Sequence, residues 1–195
     1  MANGRPKRSA IFGGSFDPVH LGHLGMMREA IEAMELDEIV VTPCFVSPFK
    51  SGTIATGPQR AEMMRMALRD EGLEIAQIST FEIDRNQPSY SWETATHFNS
   101  AFPETEWYWI LGTDQWNAFD RWAEPEKLRE LLRFIILTRN EDPVMERSDW
   151  NYEKVLYSHP ASSSAIRENF ESHTSWMTPS VIAFCREEGL YEAEF

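Results

Sequence analysis

A glycine-broken turn followed by two histidines holds the residues of this chain best suited to chemistry. Gly13 and Gly14 follow a short apolar run within the stretch Ile11 to His23. Two glycines let the backbone bend sharply and let a bulky ligand approach main-chain N–H groups. His20 and His23 stand three apart where a helix would begin, so both imidazoles can point the same way. Because a helix start offers unpaired N–H groups and a positive dipole end, we expect a phosphate site here.

Each of these features alone is more often structural, since a Gly-Gly pair is usually a turn and a histidine at a helix start is usually a surface or capping residue. The combination GGSFDPVHLGH, from Gly13 to His23, resembles the GxFDPxHxGH signature of the nucleotidylyltransferase superfamily. It has neither the G-x-G-x-x-G fingerprint of dehydrogenases nor the Gly-Lys of the P-loop. The resemblance implies that Ser15 and Phe16 also lie at the nucleotide.

A second polar group follows the predicted strand Trp107 to Leu111, a continuous apolar run typical of a central parallel strand. Gly112 and Asp114 come directly after it. Ligands of open α/β sheets bind at this edge, so Asp114 could meet ribose hydroxyls. Capping of the next helix explains Asp114 about as well.

A third group is the run Ser162 to Arg167, SSSAIR. Serine runs are usually flexible loops. Hydroxyls and a guanidinium at a helix start could also hold a phosphate chain, through Ser163, Ser164 and Arg167.

A longer pattern resembles the nicotinate mononucleotide adenylyltransferase family. It consists of Gly112 and Asp114, then Trp122, then the strand that ends at Arg139. The resemblance extends over nearly all of Ser9 to Tyr191. The serine run resembles its Ile-Ser-Ser-Thr-x-Ile-Arg motif, with Ala161 in place of the first isoleucine and Ser164 in place of threonine.

This resemblance implies roles for residues in loops. Trp122, in a polar stretch without an evident core role, matches the tryptophan that stacks on the pyridine ring. The backbone of the loop at Ser89 and Tyr90 matches the segment that meets the pyridine carboxylate. Lys50 matches a substrate-facing lysine, and Phe49 stands where bacterial relatives commonly have histidine.

The implied reaction is transfer of adenylate from ATP to nicotinate mononucleotide, giving deamido-NAD and pyrophosphate, with Mg²⁺ assisting. The acceptor phosphate is already anionic, so no general base is required, and catalysis should rest on alignment and charge neutralisation. Another superfamily adenylyl- or cytidylyltransferase, such as phosphopantetheine adenylyltransferase, and a non-catalytic nucleotide sensor stay open as alternative functions.

The resemblance assigns three sets of site residues. The expected catalytic residues are His20, His23, Lys50 and Arg167. The ATP-binding residues are Gly13, Gly14, Ser15, Phe16, His20, His23, Gly112, Asp114, Arg139, Ser163, Ser164 and Arg167, and the mononucleotide-binding residues are Ser15, Lys50, Ser89, Tyr90 and Trp122.

Composition limits the partners. A formal charge of −13 over 195 residues argues against nucleic-acid and anionic-membrane surfaces. Cys44 and Cys185 have no paired spacing, and no signal-like or membrane-length apolar segment is visible, so we expect a reduced, cytoplasmic setting.

The coarse pattern alternates strands and helices, which predicts a single doubly wound, Rossmann-like α/β domain with a parallel sheet over residues 9–195, after a disordered tail at 1–8. Apolar steps of three and four predict a helix from His23 to Leu36. Leu73 to Ile78, Phe81 to Ile83 and Val155 to Tyr157 read as short strands. We expect Ser91 to cap the helix that follows it.

Overall fold

The computed structural model describes residues 5–46, 52–139 and 142–191. Within them, six strands form one fully parallel sheet in the order β3-β2-β1-β4-β5-β6. The predicted parallel α/β sheet is confirmed. The strands are β1 (Lys7–Gly14), β2 (Glu38–Pro43), β3 (Ala76–Ile78), β4 (Thr105–Gly112), β5 (Arg133–Thr138) and β6 (Tyr152–Leu156).

Helices lie between successive strands from β1 to β5, and further helices follow β6. The helix Thr113–Asn117 begins directly after Gly112, the last residue of β4. The α-helices are α1 (Leu21–Met34), α2 (Gly57–Asp70), α3 (Phe81–Asp84), α4 (Ser91–Ala101), α5 (Thr113–Asn117), α6 (Pro125–Leu131), α7 (Ser163–Glu168) and α8 (Pro179–Glu187), with 3-10 turns at Phe119–Arg121 and Glu171–Trp176.

The sheet is buried on both faces because successive strand residues point to opposite sides. In β1, Ala10 and Phe12 join the core beneath α1, α2 and α8, while Ile11 between them joins the core beneath α4 and α6. The second core is built largely from aromatic rings, with Trp116 and Phe119 fully buried. Continuous apolar strands are the sequence signature of this arrangement.

The strand order changes direction at β1, which pairs with β2 on one side and β4 on the other. Loops that leave the carboxyl ends of β1 and β4 therefore go to opposite sides and open a crevice between them. Open α/β sheets bind ligands in this crevice. The signature loop follows β1 there, and Gly112 ends β4 at the same edge.

The segment Phe81 to Ile83 is not a strand, contrary to the prediction. The last ladder bond of β3 joins the Ser79 amide to the Val41 carbonyl, after which the chain leaves the sheet edge. Phe81 then begins α3, whose first turn is closed by the Asp84 amide on the Thr80 carbonyl and by the Thr80 hydroxyl on the Asp84 carboxylate, 2.6 Å. An apolar run without a neighbouring strand has no ladder to join, so local polar contacts decide its form.

Several predicted boundaries also move. The first helix begins at Leu21 rather than His23, and it ends at Met34 because Glu35 adopts a left-handed conformation with φ of 49°. The last strand is Tyr152–Leu156 rather than Val155 to Tyr157. β3 covers only the end of the run Leu73 to Ile78 that was predicted as a strand. Residues 5–8 are not a disordered tail: β1 includes Lys7 and Arg8, and Arg5 pairs with Asp37 at 2.8 Å.

Across the three described stretches, no helix combines the length and the apolar character that crossing a bilayer requires.

Candidate active site

The two glycines of the signature loop lie in extended conformation at the end of β1, opposite Thr42 and Pro43 of β2. They are not a sharp bend, which corrects the prediction. A side chain at Gly13 would come within 2.9 Å of the Trp109 ring, and one at Gly14 within 2.9 Å of the Phe16 ring. Glycine is required because aromatic rings pack against the strand end. The left-handed residue of the loop is Phe16 instead, with φ of 49°.

Phe16 is 2% exposed and packs edge-on against Phe12 and His23, with ring centroids 5.3 and 5.1 Å apart. The structure thus places Phe16 in the core beneath the histidines and not in the wall of either cavity described below. Ser15, next to it, does line a cavity.

His20 and His23 come together as predicted, at the first turn of α1. Their rings stack with centroids 3.7 Å apart, and the His20 amide donates to His23 Nδ1 over 3.3 Å. Burial, followed by the charge of nearby His159, lowers the pKa of His20 to about 3. His20 is therefore a neutral imidazole near pH 7, able to donate one hydrogen bond but not to supply a positive charge.

A cavity of about 650 Å³ opens on one side of the signature loop. Its wall includes the loop at the start of α4, with Ser89 and Tyr90, and Trp122 after the first 3-10 turn. The buried hydroxyl of Ser89 has no hydrogen-bond partner among the described residues. We call this space cavity A; its other lining residues are Gly13, Gly14, Ser15, Cys44, Glu82, Ser91, Trp109, Asp114, Gln115, Ala118, Arg121 and Ala123.

A second cavity of about 360 Å³, cavity B, lies on the histidine side. It brings together His20, Gly112, Asp114 and Arg139, four residues that the sequence predicted at the nucleotide. The remaining lining residues are Gly22, Met26, Thr113, Leu137, Asp142, Tyr157, His159 and Ala161.

Asp114 lines both cavities. It lies in the first turn of α5, and no side chain caps that helix, whose N-cap residue is Gly112. Capping therefore does not explain Asp114. A carboxylate at the junction of two cavities is placed to accept hydrogen bonds from hydroxyl groups of a ligand that reaches between them.

The start of α7 is bound to the signature loop. Arg167 Nη1 donates to the Asp17 carbonyl over 2.6 Å, and Ser163 Oγ donates to the Pro18 carbonyl over 2.9 Å. Arg167 Nη2 also donates to Ser164 Oγ, 3.3 Å. A guanidinium has five N–H donors, so these contacts leave others for a phosphate. The hydroxyl that caps α7 belongs to Ser162, which the prediction did not single out.

At the start of α4, the cap is not Ser91. Tyr90 is the N-cap residue, and its amide donates to the Glu93 carboxylate over 2.8 Å. The Tyr90 N–H is therefore occupied, which corrects its predicted availability to a ligand. The first-turn N–H groups of Ser91 and Trp92 have no intrahelical partner and remain the backbone donors of this loop.

Trp122 has core partners, contrary to the interpretation of its sequence neighbourhood. Its ring stacks on Phe119 at 4.7 Å and meets Trp109 edge-on at 6.0 Å. It is only half-buried and lines cavity A, so it joins the aromatic core to the cavity wall. The predicted Lys50, with Phe49, lies outside the described residues.

Sequence reasoning missed two buried charged residues. Arg60 of α2 is fully buried and donates only to main-chain carbonyls in the described chain, including that of Ser15 at 2.7 Å. Glu82 of α3 is 6% exposed and lines cavity A. A charged residue inside an apolar helical or strand-like run is the only signal that the sequence offered for either. His159 in cavity B and Arg121 in cavity A were also missed.

Known proteins resemble this chain over most of its length. A family model described as cytidylyltransferase-like matches residues 11–169. A protein of Methylacidiphilum infernorum named "Probable nicotinate-nucleotide adenylyltransferase" is 33% identical over 94% of this chain and 92% of its own length. One of Opitutus terrae with the same name is 36% identical over 93% of this chain and 96% of its own length. The chain belongs to the nicotinate-nucleotide adenylyltransferase family.

The fold of this family member also matches a solved structure. The Plasmodium falciparum nicotinic acid mononucleotide adenylyltransferase complexed with NaAD superposes with a TM-score of 0.79 over 95% of this chain and 97% of the other, at 22% identity. At that identity the match shows the fold. The family assignment makes the protein a nucleotidyltransferase, which confirms the enzyme class that the signature loop predicted.

Proposed function

We propose that this adenylyltransferase joins ATP and nicotinate mononucleotide, with the triphosphate and adenosine in cavity B and the mononucleotide in cavity A. The observation that carries this division is Asp114, whose side chain belongs to both cavities. Two adjoining spaces that share one carboxylate suit two substrates whose phosphates must meet. The two cavities differ in their walls, because His20 lines cavity B and Trp122 lines cavity A.

The acceptor phosphate attacks the α-phosphorus of ATP, the bond to the β-phosphate oxygen breaks, and pyrophosphate leaves. The nucleophile is already anionic, so the protein's part is alignment and neutralisation of charge. Neutral His20 donates a hydrogen bond, His23 stacks on it, and the positive charge comes from Arg139 and Arg167. Lys50 is proposed as a further cation at the phosphates.

Mg²⁺ would enter with the triphosphate. In the described part of the chain, no three His, Cys, Asp or Glu side chains form a group that could hold a metal ion. Single carboxylates, Asp114 and Asp142, do line cavity B, and hard oxygen donors suit this ion alongside phosphate oxygens. Bound there, the ion would neutralise charge on the phosphates.

We expect the acid mononucleotide to be preferred over the amide. At cavity A, the N–H group of Ser91 and the positive end of the α4 dipole favour a carboxylate. An amide would present its own NH₂ to the same donors, which adds a repulsive component.

Pyrophosphate release tests the proposal, with ATP and, in turn, nicotinate mononucleotide, nicotinamide mononucleotide and phosphopantetheine as acceptors. We expect kcat/KM for the acid to exceed that for the amide by at least about a hundredfold, the scale seen when polar groups of a site lose their partner. Phosphopantetheine should give no turnover. Faster turnover with phosphopantetheine, or equal efficiency with acid and amide, would contradict the assignment.

A further inference from the structure

Glu82 is a buried carboxyl group in the wall of cavity A, the proposed acceptor site. It is 6% exposed, and the fully buried Thr94 of α4 donates its hydroxyl to Glu82 Oε1 over 2.8 Å. A contact between α3 and α4 thus holds the carboxyl in place. It shares the cavity wall with Ser89, Tyr90 and Trp122, the residues proposed for the pyridine side.

The charged groups around Glu82 are mostly engaged elsewhere. Arg85 pairs with Glu93 at 2.6 Å, and that carboxylate also accepts the Tyr90 amide. Arg60 reaches Glu82 only through its longer-range charge, since its guanidinium donates to main-chain carbonyls. In the described stretches no cation lies within ion-pair distance of Glu82.

Burial without an ion pair favours the neutral form of a carboxyl group. Burial raises the pKa of Glu82 to about 7, although the Thr94 hydroxyl and the charge of Arg85 lower it, while the charge of Glu93 raises it. The thiol of Cys44, also on this cavity, stays neutral because burial raises its pKa. Near neutral pH, Glu82 therefore changes between an uncharged and a charged wall group.

We propose that Glu82 is a specificity-determining residue of the acceptor site, which admits the anionic pyridine carboxylate while it holds a proton and disfavours it once ionised. The inference rests on the function proposed above. A protonated carboxyl can donate a hydrogen bond to a neighbouring carboxylate. An ionised one repels it, and could instead accept from the NH₂ of an amide.

The test is the ratio of kcat/KM for the acid mononucleotide to that for the amide mononucleotide, measured between pH 6 and pH 8.5. The ratio removes effects that both substrates share, such as ionisation of their phosphate and of residues at ATP. We expect the ratio to fall by at least about tenfold, because one pH unit above its pKa a group is only about a tenth protonated. Dissociation constants of both mononucleotides, measured by calorimetry without ATP, should follow the same course.

Two variants test whether Glu82 causes the fall of this ratio with pH. Glu82→Gln keeps an oxygen for the Thr94 hydroxyl but does not titrate, so its ratio should stay within about twofold over the whole range. Thr94→Val removes the donor that stabilises the carboxylate, so the midpoint of the fall should move to higher pH. Glu130→Gln, at an exposed position of α6, is the control and should reproduce the parent curve.

A pH-independent ratio in the parent protein, a ratio that rises with pH, or an unchanged slope in folded Glu82→Gln would each overturn the proposal. If Glu82→Gln fails to fold by circular dichroism, an unmoved midpoint in Thr94→Val overturns it equally. Absence of turnover with either mononucleotide would instead contradict the proposed function itself.

Discussion

Arg60 Nη1 donates a hydrogen bond to the main-chain carbonyl of Ser15 over 2.7 Å, in the interior of the protein. The same guanidinium reaches the carbonyls of Ala55 and Cys44, at 3.2 and 2.5 Å. One side chain of α2 therefore joins the loop after β1 to the loop after β2. Buried carbonyls need such partners, since an unsatisfied one costs about 1–3 kcal/mol.

Replacing Arg60 by Met should destabilise the fold strongly. Methionine fills much of the volume but leaves the carbonyls without a donor, so we expect a loss of more than about 3 kcal/mol in the free energy of unfolding. Urea unfolding measures it. Arg65→Met on the same helix is the matched control, because its pair with Glu62 is exposed and should contribute less than about 1 kcal/mol. Equal effects of the two variants would show that the buried contacts contribute little.

His23→Ala should leave the fold intact and lower turnover by about two to three orders of magnitude, the effect typical of removing one preorganised donor at a transition state. Its ring lies on that of His20 at the start of α1, 3.7 Å between centroids. The measurement is kcat for pyrophosphate release beside the circular dichroism spectrum. His173→Ala, outside both cavities, controls for loss of a histidine. Near-normal turnover in a folded His23→Ala protein would remove His23 from the mechanism.

Trp122→Ala should raise KM for the mononucleotide by about tenfold to a hundredfold, because a ring stacked on an aromatic side chain contributes roughly 1–3 kcal/mol. KM for ATP should change by less than about twofold. The control is Trp150→Ala. Trp150 packs edge-on against the same Phe119, with centroids 5.1 Å apart, but is absent from the described lining of cavity A. Similar effects of both variants on both substrates would show that Trp122 acts only through the aromatic core.

His20 should make stability depend on pH. Burial lowers its pKa from 6.5 to about 3 in the folded state, so between these values the unfolded chain binds a proton that the folded chain does not. The stabilisation is fully present above pH 6.5 and is lost as pH falls toward 3.

From pH 7.5 to pH 5.0 this group should cost about 2 kcal/mol of the free energy of unfolding, at about 1.4 kcal/mol for each unit below 6.5. Denaturant titrations of the parent and of His20→Asn at both pH values measure the difference. The variant should lose less stability over this interval than the parent does. Parallel pH dependence in the two proteins would mean that His20 titrates normally in the folded state.

The sequence by itself determined the sheet, the family and the segments that carry the chemistry. Buried parallel strands such as β4 and β5 are continuous apolar runs, and runs of that kind need no distant partner to be recognised. The stacking of His20 on His23 follows from a separation of three residues at a helix start. The signature loop before them is likewise marked by residues that adjoin in the chain.

The tertiary structure decided what those segments contact. Asp17 and Tyr191 are far apart in the chain, yet the tyrosine hydroxyl donates to the carboxylate over 2.6 Å. Asp114 could be read equally as a cap or as a ligand-binding residue until the two cavities placed it between them. Glu82, predicted within a strand, became a cavity-wall residue because the chain leaves the sheet edge after β3. Burial and ionisation depend on which elements pack around a side chain, and short-range sequence patterns do not contain that information.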